Sequence, residues 1–421
     1  MIGLFKTFWH RNPNVLIFLL SLPVLLLEAK TENDFDIFIQ AARDWSNGLN
    51  PYTQFYHEWY HYFYDITFLT MLSWFQHLPN YWIKLGWLMV QVILLIQIWK
   101  MVLGHVGSSA GSSAASSPKF RWLGLALVIF NIRLIRDNIH LGQMTILLLF
   151  LSLKGLELIF NRRNAIGGAL LAWGVVVKIL PIVVLPYLIY RNRWKGATWT
   201  VAFCVFFVAL PYLYQNTTQY SELLKSRWAL LNPSNTEHIL DTSERSFHSM
   251  TTLVSVLFHA HCDDTHILPL RRHIWDCDVQ TVKWISLISR LILVASFLWV
   301  LRSRPFAEGR REHYFQEWAY LLMLIPLIFP HQQHYAFLMM MPGLACLLAP
   351  YFTGAAVWKW KSLRAWLLVL IFITMNIHFL LGVWSSYYNH FKILTYGGLV
   401  ALILLLQQMH PRDVSHQEEN I

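Results

Sequence analysis

Charge is what this sequence lacks. Asp, Glu, Lys and Arg make up 13% of its 421 residues, against roughly a quarter in an ordinary soluble domain, and so sparse a charge excludes a soluble enzyme. Cysteine is scarce as well, and four residues are too few for a disulfide-built scaffold. Cys204 and Cys346 lie inside apolar runs and read as small core residues. Cys262 and Cys277 share one polar loop, so a bridge between them stays open if that loop faces an oxidising compartment. No basic run is long enough to grip a nucleic-acid backbone, so the net charge of +10 mostly records basic cytoplasmic loops. What is present is apolar: 56% hydrophobic residues, with 20 Trp, 18 Tyr and 27 Phe. That is the composition of a polytopic membrane protein rich in interfacial aromatics.

A bilayer core about 30 Å thick needs about 20 apolar residues in a helix. Ten runs qualify as candidate spans: 12–28, 80–102, 121–136, 142–160, 196–214, 281–301, 316–330, 333–350, 364–382 and 391–408. Two further runs are ambiguous. Residues 63–78 carry Asp65 and Gln76, and residues 165–190 are interrupted by Lys178 and Pro181. Lys and Arg in short loops hold those loops in the cytoplasm. If neither ambiguous run crosses singly, Lys119, Arg121, Arg162, Arg163, Arg191, Arg193 and Lys195 all face inward, with only Arg133 and Arg136 stranded outside. The expected fold is therefore a single all-α integral membrane domain over 1–421 with about ten full spans. A re-entrant hairpin with its tip near Lys178 and an outer-face helix at 63–78 complete it. Two large outer loops follow, 29–79 and 215–280, and a flexible cytoplasmic linker is expected over 104–120, around the low-complexity stretch Gly107 to Pro118.

Outer loops of this size point to chemistry on the outer face. In the first loop, Phe35, Phe38, Ile39, Ala42 and Trp45 recur at helical spacing, which predicts an amphipathic helix on the membrane surface. Asn33 or Asp34 would cap it, with Asp36 favourable in the first turn. Basic residues at membrane depth are the second signal, since a charge there is costly and faces a cavity or a partner. Lys178 sits at the hairpin tip, and Arg290 lies nine residues into its span, roughly 13 Å deep at 1.5 Å per residue. His331 and His334 can share a face at the outer end of a span. The cluster His259, His261, Cys262, Asp263, Asp264, His266 lacks regular ligand spacing, and neither a metal nor a cofactor is expected.

Several of these residues also carry a resemblance. Asp34, Phe35, Asp36, Ile37, Phe38, then Ala41, Ala42 and a Gly48-Leu49-Asn50-Pro51-Tyr52 turn, resemble the first loop of glycosyltransferase family 87. These are GT-C type, polyprenol-phosphate-mannose-dependent mannosyltransferases. Leu141, Gly142, Gln143 resembles that family's Leu-Gly-Gln element. Gly167 and Gly168 through Lys178, Ile179, Leu180, Pro181 to Arg191 resembles its Gly-rich, Lys-x-x-Pro, Arg-rich element. Pro330, His331 and His334 resemble its late histidine-bearing loop. The likeness runs in order across about 300 residues, and it is this order that carries it, each motif being short. One departure is Tyr64, followed by Asp65 and Ile66 where the family has two prolines.

The resemblance implies a GT-C-like helical bundle that moves a hexose, in that family mannose, from polyprenyl phosphate to a lipid or glycan acceptor. The reaction would take place on the outer face of a bacterial inner membrane. It makes Asp34 the general base, with Asp36 in reserve. Lys178, Arg290, Arg133, Arg136 and Gln143 become candidates for the donor phosphate, and His331, His334, Tyr52 and Tyr64 for donor or sugar contact. A sugar on a lipid monophosphate already has a competent leaving group, so one carboxylate and a set of cations suffice, with inversion at the anomeric carbon. Two other classes remain open: a lipid-linked glycan ligase or polymerase using a diphosphate donor, and a transporter or flippase. A transporter predicts internal repeats and acidic residues in mid-span.

Overall fold

The computed structural model describes residues 13–57, 60–110, 118–213, 216–232, 236–242, 244–260, 268–301, 305–308 and 311–409. These are helical throughout, joined by turns, and no strand occurs among them. Five helices are long and apolar enough to cross a membrane: Asn80–Ser109, Trp194–Leu213, Val279–Val300, His334–Thr353 and Leu363–Leu380. Counting each bent pair as one span raises the number to seven. The sequence reading of ten spans exceeds this, for a reason visible in the backbone. The run 121–136 breaks at Asn131 into helices Pro118–Phe130 and Ile132–Leu141, and the second turns by 114° into Thr145–Phe160. Hydropathy windows see the apolar content and miss the bend.

The linker expected over 104–120 also shrinks. Its first part continues the helix Asn80–Ala110, and the next helix begins at Pro118; residues 111–117 lie outside the described residues. Ala and Ser pose no barrier to helix continuation when the preceding turns are already formed. The helix in the 63–78 run is shorter than that apolar run, Ile66–Ser73, and Asp65 caps it by accepting from the Thr67 N–H at 2.8 Å. The 165–190 run forms two short helices, Asn164–Val177 and Val184–Tyr190, joined at Lys178 and a 3-10 turn Leu180–Val183. Fourteen residues rise only about 21 Å, short of a full crossing.

The chain divides into two compact units. The first comprises residues 1–101 and 135–233, the second 102–134 and 234–421. In the first, Leu25, Ala29, Leu85, Leu88, Val92 and Ile96 form a buried core between Pro13–Glu28 and Asn80–Ala110. Close helix packing there depends on small residues: a Cβ on Gly167 would lie 2.7 Å from the Gly155 carbonyl oxygen, and one on Gly168 2.7 Å from the Trp199 Cβ. In the second unit, Leu240, Val254 and Val282 close a small core under the helices Met250–Phe258 and Val279–Val300.

Candidate active site

The first-loop helix runs Asp34–Ser46, and its cap is Asn33. The Asn33 side chain accepts from the Phe35 N–H at 3.1 Å, while Asp36 reaches back to accept from the Asn33 N–H at 2.9 Å, a reciprocal capping box. Asp36 is further engaged by the Lys84 ammonium at 2.7 Å, with both side chains largely buried. Asp36 is thereby committed to holding the helix start. The Asn33 amide also donates to the His140 carbonyl at 2.8 Å, tying the helix start to the segment 138–143.

That tie delivers Gln143 to Asp34. Gly142 takes a left-handed φ of +64°, and a Cβ there would stand 2.7 Å from the Phe35 Cβ, so only glycine fits. The Gly142 carbonyl accepts from the Trp87 indole at 2.8 Å, and the Gln143 carbonyl accepts from the Gln91 amide at 2.9 Å. With its backbone fixed, the buried Gln143 donates from Nε2 to the Asp34 carboxylate at 2.5 Å and accepts from the Tyr64 hydroxyl at 3.1 Å. Tyr52 in turn donates to the Tyr64 carbonyl at 2.9 Å. Burial, then the charge of Asp34, push the Tyr64 phenol well above its ordinary range, so it stays a donor. The Lys178 ammonium stands 5.2 Å from the centre of the Tyr64 ring, and the Asp34 charge acts on it as well.

Four residues singled out in the sequence thus converge in the first unit: Asp34, Gln143, Tyr64 and Lys178, with Tyr52 one bond behind. Arg136, in the same unit, is about half exposed and ion-paired with Asp137 at 3.2 Å. A second ion pair, Asp65 with Arg227 from the helix Thr217–Leu231, anchors the neighbouring turn beside Tyr52 and Tyr62. Sequence reasoning missed Lys84 and Arg227, whose partners lie 48 and 162 residues away.

The remaining candidates belong to the second unit. Arg133 is buried, donates to the Tyr388 hydroxyl at 3.0 Å and lies over its ring. Arg133, Lys392 and His334 all act electrostatically on the buried His248, which places the four in one neighbourhood. Lys392 donates to the Arg245 carbonyl at 3.0 Å. His334 opens the 3-10 segment His334–Met340 and stacks near His378. His331 has a left-handed φ of +55° and meets Asp241 and His238. Arg290, within the helix Val279–Val300, is half-buried and feels the Asp241 charge. Cys262 and the residues 261–267 lie outside the described residues, so the possible bridge to Cys277 and the histidine-rich cluster are not placed.

A half-buried carboxylate with an amide on one oxygen and an ammonium in electrostatic reach can take a proton from an alcohol and stabilise the conjugate acid. No curated protein matches this chain. The model of glycosyltransferase family 87 matches residues 62–315, more than half of the sequence and the stretch that supplies Tyr64, Gln143 and Lys178. By that match the chain belongs to glycosyltransferase family 87.

Proposed function

We propose that this membrane glycosyltransferase carries a hexose, in this reading mannose, from a polyprenyl monophosphate to a hydroxyl of a lipid or glycan acceptor. In this reading the reaction proceeds on the outer face of a bacterial inner membrane. The acceptor oxygen forms a bond to the anomeric carbon as the bond from that carbon to the phosphate oxygen breaks. The hydroxyl proton passes to the Asp34 carboxylate, and the polyprenyl phosphate leaves with the electron pair. Attack opposite the leaving group inverts the anomeric centre. Lys178 counters charge on the phosphate as the bond breaks, and Gln143 holds Asp34 in one orientation.

The observation that carries this reading is the convergence of Asp34, Gln143 and Lys178 around Tyr64. Asp34 is spared the capping role that Asn33 and Asp36 fill between them. The test is single-turnover transfer by purified protein in nanodiscs, with mannosyl polyprenyl monophosphate and the corresponding diphosphate compared. Asp34→Asn should lower turnover by about 10²-fold or more while leaving donor binding intact. Near wild-type transfer by Asp34→Asn would refute the base; preference for the diphosphate would refute the donor class.

A further inference from the structure

In the second unit, the span-capable segments His334–Thr353 and Leu363–Leu380 are joined by residues 354–362. When both helices cross, that connection lies at a membrane face. Gly354 ends the first helix with a left-handed φ of +83°, and Trp358, Lys359, Trp360, Lys361, Arg364 and Trp366 follow. Charge here has one sign. No Asp or Glu occurs in the sequence between Trp318 and Arg412.

The rings form a ladder. Tyr351 meets Trp358 with centroids 5.3 Å apart, Trp358 meets Trp360 at 5.4 Å, and Trp360 meets Trp366 at 6.0 Å. Edge-on and tilted contacts of this kind favour one arrangement of the rings. The second helix is tied down beside them, because Arg364 meets Gln408, whose amide donates to the Cys346 carbonyl at 2.8 Å. The outer side of the ladder is open all the same: Trp360 and Trp366 are 64% and 56% exposed, and Lys359 and Lys361 are exposed beside them. The Trp358 indole N–H is buried with no acceptor among the described residues, a donor that costs stability until an oxygen reaches it.

Indole rings with an apolar body and a polar edge suit the headgroup layer of a bilayer. Two ammonium groups with no carboxylate near them in sequence suit a phosphodiester. A zwitterionic headgroup brings its own cation, so only a lipid of net negative charge gains fully from both lysines. The patch is also remote from the second-unit site candidates. Asn376, at the far end of the helix Leu363–Asn376, accepts from the Arg133 backbone N–H at 3.3 Å, and a helix of that length puts about 20 Å between its two ends.

We propose that the Trp358–Trp366 turn is a docking site for an anionic phospholipid. Lys359 and Lys361 take the headgroup phosphate, and the ladder of Trp358, Trp360 and Trp366 packs against the glycerol backbone and the upper acyl chains. The proposal stands apart from the transfer chemistry and does not depend on the role of Asp34.

The experiment is tryptophan quenching of the full-length protein in phosphatidylcholine vesicles. Dibrominated phosphatidylglycerol, or dibrominated phosphatidylcholine, replaces a rising fraction of the lipid. Trp360→Phe/Trp366→Phe keeps aromatic rings but removes their indole emission, so the quenching lost with it belongs to the ladder. At the ladder the wild type should prefer phosphatidylglycerol over phosphatidylcholine by about 30-fold, the product of about fivefold for each lysine near an anionic headgroup. Lys359→Gln/Lys361→Gln should bring the two lipids to equal quenching, and either single variant should leave a preference of about fivefold. Both lysines are exposed, and should the double variant fail to reconstitute, the single variants decide. Equal quenching by the two lipids in the wild type overturns the proposal, as does a preference that the lysine variants leave unmoved. A ladder quenched by neither lipid is covered by protein instead, and that also overturns it.

Discussion

Gln143 donates its side-chain N–H to the Asp34 carboxylate across 109 residues of sequence, the two atoms lying 2.5 Å apart. The same amide accepts from Tyr64, so its orientation is set from both ends: the hydroxyl must face Oε1 and the carboxylate must face Nε2. A glutamine in this position cannot flip without breaking both bonds. It therefore fixes the orientation of the Asp34 carboxylate.

Gln143→Ala should accordingly lower turnover by about tenfold to a hundredfold, the range for small misplacement of a reacting group. Substrate affinity should change less than turnover, since Gln143 acts through Asp34. Steady-state transfer with donor and acceptor varied separately reads this split. Equal losses in KM and kcat would show Gln143 to be a binding residue instead.

Asp36 provides the contrast. Its neighbours are the Asn33 N–H and the Lys84 ammonium, and Asp36→Asn leaves Lys84 buried beside a neutral group. Removing one partner of such a pair costs about 3 kcal/mol or more, so the variant should denature at a clearly lower temperature. Turnover per folded molecule should stay within a few-fold of wild type. A stable but inactive Asp36→Asn would exchange the roles of the two aspartates.

The parts of this site that were legible in the sequence are those carried by short motifs: the Asp34–Phe38 start, Leu141-Gly142-Gln143 and the Lys178 turn. The capping box is local too, because Asn33 and Asp36 are three residues apart. Lys84 and Asp241 were invisible, since a partner at long range leaves no local pattern. The expected ten spans differ from the five to seven span-capable helices among the described residues for another reason. Apolar content measures how much of a segment prefers lipid, whereas the break at Asn131 and the 114° bend before Thr145 leave that content unchanged. The break at Lys178 was visible because a charge and a proline three positions apart interrupt the helix in the sequence itself.

Gly142 and Gly48 form a matched pair for testing how the Asp34–Gln143 contact is built. Both have left-handed backbones, with φ of +64° and +78°, but a Cβ on Gly48 meets nothing within 4 Å while one on Gly142 collides with Phe35. Gly48→Ala should cost about 1 kcal/mol from backbone strain alone. Gly142→Ala should cost well beyond that and displace Gln143, so transfer should fall with stability. Thermal denaturation in one detergent, run beside the transfer assay, compares them. Equal effects at the two positions would mean that the Phe35 contact yields freely.

His248 supplies the pH dependence. It is fully buried; that burial, then the charge of Lys392, push its imidazole well below the ordinary 6.5, with His334 and Arg133 adding to the effect and a hydrogen bond to Asn389 opposing it. The ring is held by its backbone, which donates to the Gln332 carbonyl at 2.8 Å and accepts from the Thr395 hydroxyl at 2.7 Å. In the unfolded chain this histidine takes up a proton as the pH falls through its ordinary value, while in the folded protein it stays neutral. The unfolded state then binds more protons, so stability rises with pH across that window and is lost as the pH drops below about 6.5. His248→Gln keeps a neutral polar group of similar reach and removes the titration. Its melting temperature should therefore fall less than that of the wild type between pH 7 and pH 5, even though 18 of the 19 histidines remain in both proteins. Parallel curves for the two would show that His248 is protonated in the fold, and would place a counter-charge beside it that the Arg133, Lys392 and His334 surroundings do not provide.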